Sequence, residues 1–189
     1  LEVARIAIEA GADCIQLREK ELEDRELLSR AEKLLDVLGS RADVIINDRP
    51  DVALLSGARG VHLGQGDLAI DRVRSLVGLH LLIGASTATL AQARAAAQAG
   101  ADYCGVGPMF PTTTKHKPEL SGPAYLREYL SDAVTGERPH LAIGGITPGN
   151  IHELVEAGCR GVAVSAAVCG AENPGEVCRA LLQSLPRPE

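Results

Sequence analysis

The stretch Gly105-Val106-Gly107-Pro108-Met109-Phe110-Pro111-Thr112-Thr113-Thr114-Lys115 ends an apolar run in hydroxyls and an ammonium, the equipment for gripping a phosphate ester. Comparable polar clusters close other short apolar runs: Gln16-Leu17-Arg18-Glu19-Lys20, Asn47-Asp48-Arg49 and Gly64-Gln65-Gly66-Asp67. Arg18, Lys20, Arg49, Lys115 and Lys117 sit in or beside them. In a chain of net charge −6, that is where cations for an anionic ligand belong. Arg18 and Lys20 either face one anion from a strand end or belong to a solvated loop with Glu19 in an ion pair.

Asp48 follows Asp43-Val44-Ile45-Ile46-Asn47, and Asp67 follows Val61-His62-Leu63-Gly64-Gln65-Gly66, so two carboxylates end neighbouring apolar runs. Oxygen ligands without His or Cys nearby suit Mg²⁺, which takes one or two carboxylates and completes its shell with water and substrate phosphate. The competing reading makes both residues helix N-caps, Asp48 before Pro50 and Asp67 before Leu68. His62 is expected to be a packed interior histidine rather than a ligand. Ser86-Thr87 ends another run and either bonds a ligand or caps the following helix.

Gly144-Gly145-Ile146-Thr147-Pro148-Gly149-Asn150 and Val164-Ser165-Ala166-Ala167 follow the last two runs. Small residues there expose backbone N–H groups of the kind that bind phosphate, or merely permit tight turns. No Ser-His-Asp or Cys-His arrangement, dinucleotide fingerprint or Walker sequence occurs, which sets aside hydrolase, nicotinamide and P-loop readings.

A repeated phrase supplies the elements that must position these clusters: Glu9-Ala-Gly-Ala-Asp-Cys-Ile-Gln-Leu-Arg18, Ser56-Gly-Ala-Arg-Gly-Val-His-Leu-Gly-Gln65, Gln98-Ala-Gly-Ala-Asp-Tyr-Cys-Gly-Val-Gly107 and Glu156-Ala-Gly-Cys-Arg-Gly-Val-Ala-Val-Ser165. Each is a helix end, a glycine and a strand buried on both faces. Strands are expected near 14–18, 43–47, 60–64, 81–85, 103–108, 140–144 and 161–166. Helices are expected near 22–38, 50–56, 68–77, 89–99, 122–130, 148–157 and 174–185, with a further one at the start of the chain. Alternating units imply parallel strands, and the opening helix implies a strand before it. The expected fold is α/β, a (β/α)₈ TIM barrel whose first strand is missing from this chain; an open doubly wound sheet is the second choice. The polar clusters then converge at one rim.

At 189 residues and 46% apolar, residues 1–189 are expected to form a single catalytic domain. A pI near 5.4 and the lack of any basic run disfavour nucleic acid and anionic membranes, and no apolar stretch reaches the ~20 residues of a membrane helix. The expected compartment is the cytoplasm. Five cysteines without metal or redox spacing fit it as small buried hydrophobes. Nothing in the sequence sets an oligomeric state.

Taken in order, Gln16-Leu-Arg-Glu-Lys20, Asn47-Asp48, His62-Leu-Gly-Gln-Gly-Asp67, Ser86-Thr87, Thr112-Thr-Thr-Lys115, Ala142-Ile-Gly-Gly145 and Val164-Ser165 closely resemble the thiamine-phosphate synthase family over essentially the whole chain. The resemblance implies a transferase that joins 4-amino-2-methyl-5-hydroxymethylpyrimidine diphosphate to 4-methyl-5-(2-phosphoethyl)thiazole, releasing pyrophosphate through a pyrimidine carbocation trapped by the thiazole nitrogen. It implies that Gln16, Leu17, Arg18, Glu19, Lys20, Asn47, Ser86 and Lys115 hold the pyrimidine diphosphate, and that Asp48 and Asp67 bind Mg²⁺. Arg18, Lys20, Ser86 and Lys115 would take the catalytic part. Thr112, Thr113, Thr114, Gly144, Val164 and Ser165 would hold the thiazole phosphate. Gly66 and Ala85 stand where the family more often has larger residues. The related thiazole tautomerase, or a non-catalytic phosphate-binding barrel, would need neither the full cation set nor both acids.

Overall fold

The computed structural model describes residues 1–112 and 120–186. A helix α1 (Glu2–Glu9) precedes strand β1 (Cys14–Leu17), and strands and helices then alternate: α2 (Asp24–Leu38), β2 (Asp43–Asn47), α3 (Pro50–Ser56), β3 (Gly60–Leu63), α4 (Ile70–Val77), β4 (Leu82–Thr87), α5 (Leu90–Gln98), β5 (Tyr103–Val106), α6 (Gly122–Ser131), β6 (His140–Ile143), α7 (Ile151–Glu156) and β7 (Val162–Ala163). A short α8 (Ala166–Cys169) and α9 (Pro174–Ser184) close the described chain.

The seven strands form one parallel sheet in strict sequence order, β1 to β7. Every expected strand is present, and the sequential parallel order is that of a TIM barrel rather than of a doubly wound sheet, whose order reverses at a switch point. Among the described residues β1 and β7 are not hydrogen-bonded to each other, leaving a seam in the barrel wall. That seam lies where the sequence places a gap, between the strands of Ile15 and Val162. The glycines of the repeated phrase, Gly11, Gly57, Gly100 and Gly158, all have positive φ, as a left-handed residue after a helix requires.

Alternation along each strand separates two environments. Val44, Ile46, Val61, Leu63 and Ile83 face outward onto Leu27, Ala31, Leu34 and Leu38, the apolar stripe of α2, and onto Val52 and Val73 of α3 and α4. A second outer core gathers Ala85, Cys104, Val106 and Ala142 with α1, α5, α6, α7 and α9, around Tyr125, Leu126, Tyr129 and Leu154. The alternate residues, among them Ile45, Asn47, His62, Ser86 and Tyr103, line the barrel interior.

Two expectations are corrected. Cys104, Cys159 and Cys178 are buried, but Cys14 and Cys169 are exposed. Cys14 is an inward position on β1, which has a strand neighbour on one side only, and Cys169 ends the unexpected helix α8. Strand β7 is also shorter than the 161–166 expected. Its partner β6 ends at Ile143, where Gly144 and Gly145 turn at φ 92° and 66°, so Val164 and Ser165 have no ladder partner.

Candidate active site

Parallel strands deliver each polar cluster to the same end of the sheet. Arg18 and Lys20 follow β1, Asn47 and Asp48 sit at the end of β2, Gln65 and Asp67 follow β3, Ser86 ends β4, Thr112 follows β5, Gly144 follows β6, and Val164 and Ser165 follow β7. Thr113, Thr114, Lys115 and Lys117, expected to belong to this rim, lie outside the described residues.

The β1–β2 corner brings a lysine and a carboxylate together across two strand ends. Lys20 Nζ lies 3.5 Å from Asp48 Oδ2. The β1–β2 register pairs Leu17 with Ile46, and one further step places Arg18 beside Asn47. Arg18 Nε and Asn47 Oδ1 are buried with no hydrogen-bond partner among the described residues. A buried donor and a buried acceptor left unpaired cost about 1–3 kcal/mol each, so this corner favours further polar atoms beside them. Leu17 turns outward into the apolar layer between α1 and α2, whereas Gln16 is exposed at the seam.

Not every cation of the clusters is available. Arg49 donates to Asp24 at 2.6 Å and to both Asp51 oxygens at 2.9 and 2.7 Å, tying the start of α2 to the start of α3. Those carboxylates raise the Arg49 guanidinium further above its ordinary value, and Arg49 in turn lowers that of Asp51. Glu19 is ion-paired with Arg30 of α2 at 2.9 Å, which directs it toward the helix layer.

Asp48 and Asp67 do not act as helix caps. The residue at the start of α3 is Arg49 and that of α4 is Ala69. Asp48 has φ 64°, a left-handed conformation that Asp and Asn tolerate better than most residues, and its N–H donates to the His62 carbonyl at 2.9 Å. Asp67 Oδ2 accepts from Gly64 N at 2.6 Å, which closes the loop after β3. Among the described residues no group of three His, Cys, Asp or Glu side chains could hold a metal alone. Two carboxylates on loops after adjacent strands fit a cation that takes most of its ligands from water and phosphate, as Mg²⁺ does.

Ser86 is 6% exposed and does not cap α5; Thr89 does, accepting from Gln92 N. Thr87 faces outward instead, donating to the Gly105 carbonyl and accepting from the Tyr125 hydroxyl. His62 is buried in the barrel interior as expected, with Nε2 2.9 Å from Ser86 Oγ and Nδ1 3.1 Å from the Tyr103 hydroxyl. Gln65 Nε2 donates to the Ser86 carbonyl at 2.7 Å. Neither Tyr103 nor Gln65 drew a role from the sequence. An inward aromatic opposite a glycine of the neighbouring strand, Gly84, was the available signal.

On the opposite side the segment after β5 lies along the Gly-Gly turn. Met109 N donates to the Ile143 carbonyl at 2.9 Å and Phe110 N to the Gly144 carbonyl at 3.0 Å. A Cβ at Gly145 would fall 2.4 Å from the Pro111 carbonyl oxygen, so only glycine admits this crossing at φ 66°. Asn150 braces the turn, donating to the Gly145 carbonyl at 2.9 Å and accepting from Thr147 N at 2.8 Å. The short helix α8 after β7 is the usual companion of phosphate sites in barrels of this kind.

Comparison with known proteins agrees with this arrangement. The family description "Thiamine monophosphate synthase" matches residues 1–168. A thiamine-phosphate synthase of Gloeobacter violaceus is 44% identical over 99% of this chain and 54% of its own length. One of Pelotomaculum thermopropionicum is 44% identical over 100% of this chain and 86% of its own. The chain thus spans about half of the first relative and most of the second. A solved thiamine phosphate pyrophosphorylase from Pyrococcus furiosus superposes with a TM-score of 0.87 at 36% identity, covering 97% of this chain and 87% of that one.

Proposed function

Because the chain belongs to the thiamine monophosphate synthase family, we propose that it is a thiamine-phosphate synthase, a transferase that joins the pyrimidine diphosphate to the thiazole phosphate. The observation that carries this reading onto the chain's own residues is the β1–β2 corner, where buried Arg18 Nε and Asn47 Oδ1, without a partner among the described residues, sit beside Lys20 and Asp48. That corner suits a diphosphate ester with an amine-bearing ring: cations for the phosphates, an amide acceptor for an N–H.

In the reaction the bond between the pyrimidine methylene and the diphosphate oxygen breaks, and its electron pair leaves with pyrophosphate. The thiazole nitrogen lone pair then forms the new carbon–nitrogen bond, and no net proton is lost. The chain's task is to stabilise charge growing on the departing oxygens, and Arg18 and Lys20 are assigned to it. Gln16, Asn47 and Ser86 orient the pyrimidine, and Lys115 is assigned to the same diphosphate. Asp48 and Asp67 would hold Mg²⁺, which supplies further positive charge against the diphosphate when bound. Thr112 to Thr114, Gly144, Val164 and Ser165 are assigned to the thiazole phosphate, supported by the braced turn and by α8. Free cysteines suit the reducing cytoplasm expected for such an enzyme.

Incubation with both substrates and Mg²⁺ tests the assignment. Thiamine phosphate and pyrophosphate should form in equal amounts. Isomerisation of the thiazole phosphate without any coupling to the pyrimidine would overturn it in favour of a tautomerase.

A further inference from the structure

The hydrogen bonds of the rim continue downward into the barrel. Strand β3 and its loop hold Ser86 from two sides, His62 at its hydroxyl and Gln65 at its carbonyl. Strand β5 holds His62, whose ring centroid lies 5.6 Å from that of Tyr103 with the planes tilted by 39°. Glycines make room for both rings. Gly84 pairs with His62 on one side and Tyr103 on the other, and a Cβ there would lie 2.1 Å from Tyr103 Cζ. Gly105 pairs with Ser86, and a Cβ there would lie 3.1 Å from His62 Cε1. Burial pushes the Tyr103 phenol well above its ordinary range, so it keeps its proton as a donor.

We propose that Tyr103, His62 and Gln65 are positioning residues for Ser86. The Tyr103 hydroxyl donates to His62 Nδ1, His62 Nε2–H donates to Ser86 Oγ, and the serine is left to donate its own proton to a ligand at the rim. Gln65 fixes the backbone beneath it. A serine hydroxyl otherwise samples several rotamers, and a ligand must select one on binding; a serine already held loses less freedom. The inference rests on the synthase reading, in which Ser86 touches the pyrimidine diphosphate. A histidine that merely fills the barrel would affect folding and nothing else.

Steady-state kinetics of the unaltered protein, Ser86→Ala, His62→Asn, His62→Gln, Tyr103→Phe and the doubles of His62→Asn and Tyr103→Phe with Ser86→Ala separate the two roles. Ser86→Ala and His62→Asn should each lower kcat/KM for the pyrimidine diphosphate about two- to tenfold, the range of one hydrogen bond, with KM for the thiazole phosphate unchanged. His62→Gln, whose amide reaches toward the Nε2 position, should recover most of the loss. Each double should be no worse than Ser86→Ala alone, because the deeper residues act only through the serine. Where His62→Asn does not fold, Tyr103→Phe carries the same comparison. Additive losses in the doubles, or normal turnover per folded molecule in His62→Asn and Tyr103→Phe, overturn the inference alone. Failure of the unaltered protein to make thiamine phosphate overturns the synthase reading and the inference with it.

Discussion

Lys20 Nζ and Asp48 Oδ2 meet at 3.5 Å across the ends of β1 and β2, with 55% of the lysine side chain exposed against 19% of the aspartate. A pair whose lysine is mostly in solvent contributes about 0–1 kcal/mol to stability. Drawing either member toward a ligand therefore costs the fold little. Asp48→Asn should keep the fold, since Asn also tolerates φ 64°, and should abolish Mg²⁺-dependent turnover. Asp48→Val, β-branched at a left-handed position, should cost about 1–3 kcal/mol as well. Asp67→Asn should behave as Asp48→Asn does. Thermal melting beside turnover per folded molecule checks all three, and normal Mg²⁺-dependent turnover in Asp48→Asn would remove that residue from the proposed metal site.

The cations should divide by partner. Lys20→Ala and Lys115→Ala should each weaken pyrimidine diphosphate binding about ten- to hundredfold, one charge-assisted contact apiece. Arg49→Ala should change it little, because that guanidinium is spent on Asp24 and Asp51. Calorimetric titration of each substrate separately decides the point. Loss of thiazole phosphate affinity with unchanged diphosphate affinity in Lys115→Ala would show the two substrates to be assigned the wrong way round.

Gly145→Ala should both destabilise the protein, by about 1–3 kcal/mol, and weaken thiazole phosphate binding. Its Cβ would press on the Pro111 and Phe110 carbonyl oxygens, at 2.4 and 2.7 Å, and displace the segment after β5 that leads to Thr112. Denaturant melts and thiazole phosphate titration measure the two effects. A variant that binds normally would separate that loop from the ligand.

Gly84→Ala and Gly66→Ala form a matched pair. The first should cost about 1–3 kcal/mol through overpacking against Tyr103. The second, with nothing within 4 Å of its added Cβ and no positive φ, should stay within about 0.5 kcal/mol. Equal losses in chemical denaturation would contradict the close approach of Tyr103.

Acid stability should report Asp132, whose hydrogen bond from Arg94 lowers its carboxyl from the usual 3.8 to about 2. A depressed carboxylate contributes stability above its unfolded value, and the contribution is lost as pH falls through the folded one. The melting temperatures of the unaltered protein and Asp132→Asn should therefore differ most near neutral pH. The gap should narrow between about pH 4 and pH 2; a gap independent of pH would dismiss the ion pair as its source.

Much of the fold was legible because four of the seven strands announce themselves by a glycine after a helix, and parallel order follows from the alternation. The rim was legible for the same reason: Arg18, Asp48, Asp67, Ser86 and Gly144 all close apolar runs. What the sequence hid depends on register and on neighbours. Tyr103, His62 and Ser86 lie far apart in the chain and meet only because β3, β4 and β5 align Gly84 between the two rings. Arg49 reads as a phosphate cation until Asp24, from another element, takes it. Val164 and Ser165 read as strand, yet the turn at Gly144 removes the backbone they would have paired with.

The two outer cores give the molecule two cooperative regions whose amide protons should exchange with solvent at different rates. One region packs β2 and β3 on α2, α3 and α4, beneath Asn47, Asp48 and Asp67; the other packs β5 and β6 on α1, α5, α6, α7 and α9, beneath Thr112 and Gly144. Under the proposed division of substrates, each ligand would slow exchange mainly in its own half. The Tyr103–His62–Ser86 chain runs from β5 through β3 to β4 and so stitches the halves together in the interior. A ligand that settles Ser86 would thereby be felt, at the level of local opening, on the side of the barrel that holds the other substrate.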